Sequence, residues 1–355
     1  AEQIIARKAV KDKLPEWHAR QEIIYPSRLA AEQCSSETTA RYKQRLALGD
    51  TLCDLTGGLG VDCYYFSQAV KQVFYVERNP EYRQAAAQNF KLLGANNITC
   101  VTGDARETAK EITADTFYLD PARRAKDNRR VFALSDCEPD ILQLKPLLLK
   151  KARRVIVKIS PMADLTETLR LLPETREVHI LAVKNECKEL LFVLEEKRDN
   201  SPTTIFTANL IPGGEQTFNF TQEEEEAATA PTATEIGAYL YEPNAAILKG
   251  GAFKTIACRH GLAKLERHSH LYTSQEPAAD FPGRTFLVES ALDFSGKRLK
   301  TLGKSLPKAN ITVRNFPLSV AEIRQKSGIQ EGGDTYLFAT TLHPKHLILV
   351  ISRKI

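Results

Sequence analysis

The sequence predicts an α/β protein in which a doubly wound, mostly parallel sheet is followed by a smaller α+β region. Short apolar segments alternate with helical patterns between residues 51 and 176. A glycine-dense turn, Gly57-Gly58-Leu59-Gly60, follows the first apolar segment directly. Two later apolar segments, Glu177–Val183 and Leu190–Glu195, are joined by a connection too short for a crossover helix, so this pair is expected to be antiparallel.

Composition indicates a globular protein with more than one domain. The 355 residues are 43% hydrophobic and 26% charged. No segment approaches the ~20 apolar residues of a membrane helix, and the charged first residues are unlike a signal peptide, so a cytoplasmic location is expected. The seven cysteines lack a C-x-x-C pair and are interpreted as reduced thiols. The pairs His268/His270 and His343/His346 are interpreted as surface histidines, and no metal site is predicted.

Residues 1–50 are predicted to form an N-terminal helical segment, and Ser36 can cap its last helix, Glu37–Leu48. The sheet is expected to begin at Thr51. Asn79, Pro80 and Gly94 are typical of the start and end of a helix after the second strand. The five parallel strands are predicted at Thr51–Asp54, Gln72–Glu77, Ile98–Thr102, Thr116–Asp120 and Arg154–Ser160.

After the antiparallel pair, further strands are predicted at Thr203–Leu210 and around Phe218. The acidic segment 221–235 is interpreted as a linker. The predicted organisation is therefore a helical segment (1–50), the main domain (51–220), the linker (221–235), a small α+β segment (236–282) and a last α+β domain (283–355). In the last domain strands are expected at Arg284–Ser290, Ile311–Phe316, Thr335–Thr340 and His346–Arg353.

The glycine turn departs from the dinucleotide-binding pattern. A G-x-G-x-x-G motif begun at Gly58 has Gly60 but then Cys63, so the third glycine is missing. What remains is a backbone free of side chains, against which a carboxylate-bearing ligand can lie near a helix N-terminus.

Acidic residues at the strand ends indicate which chemical groups the ligand carries. Glu77 is placed to accept hydrogen bonds from two ribose hydroxyls, and Asp104 from an adenine amino group. Asp54 or Asp62 would then lie near an ammonium group. This arrangement fits S-adenosylmethionine.

Over residues 50–200 the chain resembles the class I S-adenosylmethionine-dependent methyltransferases, through DLTGGLGVD, YVERNP, TGDARE and YLDPAR. The resemblance implies a Rossmann-like, seven-stranded methyltransferase sheet whose last two strands form the antiparallel pair. The predicted cofactor-binding residues are Asp54, Thr56, Gly57, Gly58, Gly60, Asp62, Glu77, Arg78, Asp104 and Ala105.

Asp120-Pro121-Ala122-Arg123 stands where enzymes that methylate exocyclic amines of bases carry Asp/Asn-Pro-Pro-aromatic. The resemblance implies that Asp120 and Pro121 receive the target amine, with Asp120 accepting its N–H. Because Ala122 and Arg123 replace the second proline and the aromatic, two alternatives stay open. Arg123 binds a phosphate or carboxylate of the substrate, or an aromatic from elsewhere, such as Trp17, stacks on the base.

Basic residues suggest the substrate. Arg124, Arg129 and Arg130 follow the fourth strand and are assigned to substrate phosphates, with Lys158 as a further contact. Residues 236–355 carry 17 Lys and Arg against 9 Asp and Glu, whereas residues 1–235 carry 32 against 35.

Residues 236–355 resemble the THUMP-like module of some bacterial methyltransferases, through segments such as Ile311–Ser319 and Gly332–Thr340. The resemblance implies binding of a structured RNA, and the whole chain is similar to bacterial relatives of guanine-N2 RNA methyltransferases. A basic segment compatible with this contains Lys297, Arg298, Lys300, Lys304 and Lys308.

The leading hypothesis is a methyltransferase that acts on an RNA base, with the guanine amino group as a candidate. One alternative keeps the cofactor but methylates a protein or a small molecule. The other is an RNA-binding protein that binds the cofactor without turnover.

Overall fold

The computed structural model describes residues 2–123, 134, 137–196 and 201–355. It divides into two compact units, Ala1–Phe206 and Thr207–Ile355. Each unit has its own sheet and helices.

The first unit begins with the predicted helical segment. The Ser36 hydroxyl accepts a hydrogen bond from Thr39 N at 3.1 Å, so the predicted cap is confirmed. The capped helix ends at Lys43 and continues as a 3-10 turn, Gln44–Leu46, earlier than the predicted Leu48. The four helices are α1 (Glu2–Ala9), α2 (Pro15–Ala19), α3 (Arg28–Gln33) and α4 (Glu37–Lys43).

Strands and helices alternate through the rest of the first unit. The strands are β1 (Thr51–Asp54), β2 (Gln72–Glu77), β3 (Ile98–Thr102), β4 (Thr116–Leu119), β5 (Ala122–Arg123), β6 (Cys137–Glu138), β7 (Arg154–Ile159), β8 (Thr175–Val183) and β9 (Glu186–Leu194). The helices are α5 (Val61–Phe66), α6 (Pro80–Leu92), α7 (Ala105–Glu111), α8 (Ile141–Lys151) and α9 (Leu165–Leu171).

Seven of these strands lie in one sheet in the order β8-β9-β7-β4-β1-β2-β3. Strands β7, β4, β1, β2 and β3 are parallel to one another, and β9 is antiparallel to both β7 and β8. The predicted mostly parallel sheet with a reversed strand is therefore confirmed, but the sheet has nine strands and not the predicted seven. Strand β7 is fully buried from Val155 to Val157, as expected for a central parallel strand covered on both faces.

Helix α6 begins and ends where the sequence predicts. The Asn79 side chain accepts hydrogen bonds from Glu81 N and Tyr82 N, and Pro80 is the first helical residue. Gly94, just beyond the helix end, has φ +76°, the left-handed conformation that glycine favours.

The connection between β8 and β9 is shorter than predicted. It consists of Lys184 and Asn185, which have φ of +50° and +66°, and β9 begins at Glu186. Two positive φ values in succession match the twist of the flanking strands, so the hairpin closes in two residues. The polar segment Glu186–Glu189, predicted as part of the turn, therefore belongs to the strand.

The second unit follows β10 (Thr204–Ile211), which crosses the division between the units. Its strands are β11 (Gly214–Thr221), β12 (Tyr239–Pro243), β13 (Ala263–Lys264), β14 (Tyr272–Ser274), β15 (Gly283–Asp293), β16 (Asn310–Arg314), β17 (Thr335–Leu342) and β18 (His346–Lys354). Its helices are α10 (Gln222–Ala227), α11 (Ala245–Gly250), α12 (Thr255–His260), α13 (Gly296–Ser305) and α14 (Val320–Ser327).

A seven-stranded sheet organises this unit in the order β13-β14-β12-β15-β18-β17-β16. One core cluster joins helices α13 and α14 to the sheet through residues such as Leu299, Ile323 and Leu349. A second cluster contains Leu240, Phe286 and other buried residues. The predicted α+β character of the C-terminal region is confirmed.

The acidic segment predicted as a linker begins with helix α10. Thr221 and Glu224 form a capping box at its start. The Glu225 carboxylate accepts hydrogen bonds from Lys254 N at 2.8 Å and Thr255 N at 2.9 Å, which places an acid at the N-terminus of α12. This part of the segment is therefore docked on the second unit.

Candidate active site

A cleft of about 710 Å³ opens where β1, β2, β3 and β4 end. Ten residues predicted to bind the cofactor line it, together with Asp120 and Lys158 from the catalytic and substrate predictions. Carboxyl ends of parallel strands meet at one edge of a sheet, which is why residues so far apart in sequence come together. The ten are Asp54, Thr56, Gly57, Gly58, Gly60, Asp62, Glu77, Arg78, Asp104 and Ala105.

The three glycines of the turn meet different surroundings. A Cβ on Gly57 would lie 2.3 Å from Cε2 of Tyr75, and one on Gly60 would lie 2.6 Å from Cζ of Phe90. These two glycines are therefore needed for close packing against aromatic rings. A Cβ on Gly58 would meet only the backbone oxygen of Thr56, at the ordinary contact distance of 3.8 Å, and the φ of Gly58 is +52°.

Glu77 fixes the turn from the end of β2. Its Oε2 accepts a hydrogen bond from Gly58 N at 2.9 Å, and its Oε1 accepts one from Asn79 N at 2.8 Å. The side chain remains half-exposed in the cleft. At the end of β3, exposed Asp104 accepts a hydrogen bond from Arg106 N and caps α7.

The Asp54 carboxylate accepts hydrogen bonds from neighbouring protein groups. Its Oδ1 accepts hydrogen bonds from Thr56 N and Thr56 Oγ1, and its Oδ2 accepts one from the Cys63 thiol. Burial raises the pKa of Asp54 to about 7. The Thr56 hydroxyl also accepts a hydrogen bond from Asp120 N at 2.7 Å, so Asp54 supports Asp120 through Thr56.

Asp62 belongs to a buried charge network. The Lys43 ammonium lies 2.8 Å from Asp62 Oδ1 and 3.0 Å from Glu189 Oε2. Ser35 and Tyr118 donate hydrogen bonds to Asp62 Oδ2. Burial alone would raise the pKa of Asp62, but Lys43 and Lys158 hold it below its ordinary value.

Asp120 pairs with Lys158, the residue at the same level of the neighbouring strand. Lys158 Nζ lies 2.5 Å from Asp120 Oδ2, and the two side chains are 14% and 35% exposed. Burial opposes the charge on Lys158, yet Asp120, Glu189 and Asp62 raise the pKa of its ammonium above the ordinary value. Lys158, predicted as a substrate contact, thus lines the cleft and pairs with Asp120.

The chain that follows Asp120 is held by pairing between strands β5 and β6. Ala122 and Arg123 pair with Cys137 and Glu138, and the Arg78 guanidinium lies 3.2 Å from Glu138 Oε1. Pro121, predicted to help receive the amine, is half-buried between Asp120 and this pairing. The Arg123 side chain, and the predicted phosphate contacts Arg124, Arg129 and Arg130, lie outside the described residues.

The N-terminal segment supplies a wall of the cleft that the sequence analysis missed. Five of its residues line the cleft, and Ser27 and Tyr82 share a hydrogen bond of 2.6 Å that joins the segment to α6. Trp17 is fully buried against Tyr64, so its proposed stacking on a substrate is wrong. The five lining residues are Leu29, Ala30, Gln33, Cys34 and Ser35.

The described part of the chain contains no group of three or more His, Cys, Asp or Glu side chains arranged to hold a metal ion. Among the same residues, none of the helices has the length and apolar character to cross a membrane.

The mostly parallel sheet with its reversed strand, the glycine turn and the three following strand-end acids define a class I methyltransferase. A ferredoxin-like domain model matches residues 239–282, and a THUMP domain-like model matches residues 283–353. The crystal structure of a "putative methyltransferase" from Porphyromonas gingivalis W83 is 41% identical, with a TM-score of 0.94, over 100% of this chain and 89% of that chain. The protein belongs to the S-adenosylmethionine-dependent methyltransferases with C-terminal ferredoxin-like and THUMP-like domains.

More distant relatives agree with this family. Two Mycobacterium tuberculosis proteins, from strains CDC 1551 and H37Rv, are each named an uncharacterized S-adenosylmethionine-dependent methyltransferase. Each is 25% identical over 302 residues, which is 84% of this chain and 79% of the relative.

Proposed function

We propose that this enzyme methylates a base in RNA, with an exocyclic amine such as that of guanine as the target. The observation that carries the proposal is the position of Asp120 in the cleft, fixed at its backbone by Thr56 and at its carboxylate by Lys158. A carboxylate oxygen held in this way can accept an N–H and align the nitrogen.

The residues of the cleft fit S-adenosylmethionine. A volume of about 710 Å³ lies in the range of small-molecule sites. Half-exposed Glu77 would accept hydrogen bonds from the ribose hydroxyls, exposed Asp104 from the adenine amino group, and the open side of Gly58 would face the rest of the cofactor. When bound, S-adenosylmethionine supplies a methyl group activated by its sulfonium.

Asp54 and Asp62 have a different part in this proposal from the one expected from sequence. Both carboxylates are paired with protein donors and, unlike half-exposed Glu77, are nearly buried: Asp54 is 1% exposed and the Asp62 side chain is 10% exposed. They are therefore proposed to hold the turn and helix α5 in place, and the cofactor contacts rest on Glu77, Asp104 and the turn.

The choice of RNA is supported by the second unit. Helix α13 and the residues after it expose Lys297, Arg298, Lys300, Lys304 and Lys308. Such a row of cations suits a phosphate backbone. The match of residues 283–353 to a THUMP domain-like model supports the same partner.

The proposal is tested by profiling modified nucleosides in RNA from cells with and without the gene. We expect one methylated nucleoside to disappear, to return with the intact gene and to stay absent with Asp120→Ala, which removes the acceptor. Asp50→Ala is the matched control, because Asp50 is exposed and pairs only with exposed Lys71 among the ion pairs described. An unchanged profile in cells without the gene would rule out the RNA assignment.

A further inference from the structure

Helix α3 lines the cleft with residues to which neither the sequence motifs nor the matched domain models assign a role. We propose that its exposed face, formed by Leu29 and Gln33, holds the target base. Leu29 contacts the flat face of the base, and the Gln33 amide pairs with the edge of guanine next to its amine. The inference rests on the proposed function, because the base is the substrate named there.

The start of α3 is fixed at one end of the cleft. Ser27, which caps the helix, shares a hydrogen bond of 2.6 Å with Tyr82 in the first turn of α6. The residue that caps α6, Asn79, donates its backbone N–H to Glu77 Oε1 at 2.8 Å. The first residues of α3 are therefore on the side of the cleft where Glu77 is proposed to bind the ribose.

The other end of α3 is fixed near the acceptor. Gln33 is the last residue of the helix, and two residues later Ser35 donates a hydrogen bond to Asp62 Oδ2 at 2.8 Å. Tyr118 donates to the same oxygen at 2.8 Å and is two residues before Asp120 in the chain. The helix thus runs along the cleft from the proposed ribose contact towards Asp120.

Leu29 and Gln33 are the exposed residues of this wall. They are four residues apart, so they lie on one face of the helix, and both line the cleft. Leu29 is 58% exposed, although contact with an apolar surface would be favourable. Within the part of the chain that the structure describes, the Gln33 side chain has no hydrogen-bond partner. An apolar group and an unused amide therefore face the cleft together.

This combination suits a nucleobase. Enzymes that act on a base hold it through apolar contact with its faces and hydrogen bonds to its Watson–Crick edge. The amide of Gln33 can accept the N1–H of guanine and donate to its O6, while Asp120 accepts from the N2 amine. Adenine offers an acceptor in place of the N1–H. Leu29 also supplies the apolar contact that the motif after Asp120 lacks, since Trp17 is fully buried.

Two measurements separate contact with the base from contact with the cofactor. Calorimetry with S-adenosylhomocysteine reports the cofactor site. Labelled methyl transfer to RNA from cells that lack the gene, at RNA concentrations below saturation, reports kcat/KM for RNA. Gln33→Met keeps the length of the side chain and removes the amide, so we expect kcat/KM for RNA to fall by about 10- to 100-fold, the size of a bidentate contact with a base. The affinity for S-adenosylhomocysteine should be unchanged.

Other variants test each contact. Gln33→Glu has no N–H to donate to O6, so it should lose at least as much kcat/KM as Gln33→Met. Leu29→Ser should lower kcat/KM for RNA by about tenfold, whereas Leu29→Phe should retain it because the ring offers a larger apolar face. Glu32→Gln is the matched control on the same helix. Glu32 pairs with exposed Arg28, is not among the described residues that line the cleft, and its variant should match the unmodified protein in both measurements.

Unchanged kcat/KM for RNA in Gln33→Met or in Leu29→Ser would overturn the proposal. So would an equal loss of affinity for S-adenosylhomocysteine in these variants, because α3 would then contact the cofactor. Full activity of Gln33→Glu would overturn the assignment of the guanine edge. An unmodified protein that binds S-adenosylhomocysteine but transfers no methyl group to RNA would instead reject the proposed function.

Discussion

At the end of β1, Asp54 is 1% exposed and accepts three hydrogen bonds, from Thr56 N, Thr56 Oγ1 and the Cys63 thiol. Burial raises its pKa from the ordinary 3.8 to about 7 in the folded protein. Between about pH 4 and pH 7 the folded protein therefore holds a proton that the unfolded chain has lost. Because the folded state binds more protons in this window, its stability falls as the pH rises through it and is level above it.

Replacing Asp54 by Asn should remove this dependence. At pH 5 the protein has its neutral, stable form of Asp54, whereas at pH 8 it carries a buried charge. The loss of unfolding free energy caused by Asp54→Asn should therefore be smaller at pH 8 than at pH 5, by on the order of a few kcal/mol. Urea unfolding of both proteins at the two pH values measures it.

Asp50→Asn is the control for this measurement, because the Asp50 side chain is 64% exposed and lies at the opposite end of β1 from Asp54. Its effect should be the same at both pH values. Equal effects of Asp54→Asn at pH 5 and pH 8 would show that Asp54 is ionised throughout.

At the scale of single elements, local signals predicted much of the fold. Asn79 and Pro80 start α6 and Gly94 ends it, because caps and positive φ depend on neighbouring residues alone. The β8–β9 turn was predicted too long, since the polar segment after Asn185 can remain in a strand once it is paired. Local chemistry decides where a helix starts, whereas strand pairing decides where a hairpin closes.

The cleft was predicted only in part, because only some of its residues carry a local sequence signal. Strand-end acids and the glycine turn are visible because they follow apolar segments directly. Lys43 gave no such signal, since the partners that allow its burial, Asp62 and Glu189, lie far along the chain. The wall formed by α3 likewise depends on tertiary contacts such as that between Ser27 and Tyr82.

The glycine turn allows a ranked prediction. Gly57→Ala places a Cβ 2.3 Å from the Tyr75 ring and should lower the unfolding free energy by about 2–3 kcal/mol through overpacking. Gly58→Ala places a Cβ at an ordinary contact distance, 3.8 Å from Thr56 O, and should cost only about 1–2 kcal/mol, the strain of φ +52°. Urea midpoints of the two variants test the ranking, and a larger loss in Gly58→Ala would refute this account of the turn.

At the scale of the whole molecule, the second unit is held together by an acid shared between two arginines. Glu242 on β12 is 2% exposed and pairs with Arg284 on β15 and with Arg314 on β16, the latter at 2.8 Å. Glu242 lies in the part that matches the ferredoxin-like model, and both arginines lie in the THUMP-like part. The triad therefore joins the two matched regions into one unit.

Glu242→Gln should leave two guanidinium groups without their carboxylate, at a cost of about 3–5 kcal/mol. Hydrogen exchange on the full chain should show faster exchange of β12, β15 and β16, with the first unit unchanged. Glu289→Gln is the matched control, because Glu289 pairs with the more exposed Arg353 on the same sheet. Unchanged exchange in Glu242→Gln would mean that the triad does not stabilise the unit.

Taken as a molecule, the protein combines a methyltransferase cleft in its first unit with an exposed basic helix, α13, in its second. The cleft supports the proposal that Asp120 is the acceptor. The basic helix supports the proposal that RNA is the substrate. Cofactor binding and RNA methylation can be measured independently of each other.

Transfer of a labelled methyl group from S-adenosylmethionine to RNA from cells that lack the gene tests the central claim most directly. We predict label that is released by RNase, that is lost in Asp120→Ala and that persists in Asp50→Ala. Label that resists RNase, or incorporation that does not depend on Asp120, would contradict the claim that this enzyme methylates an RNA base through Asp120.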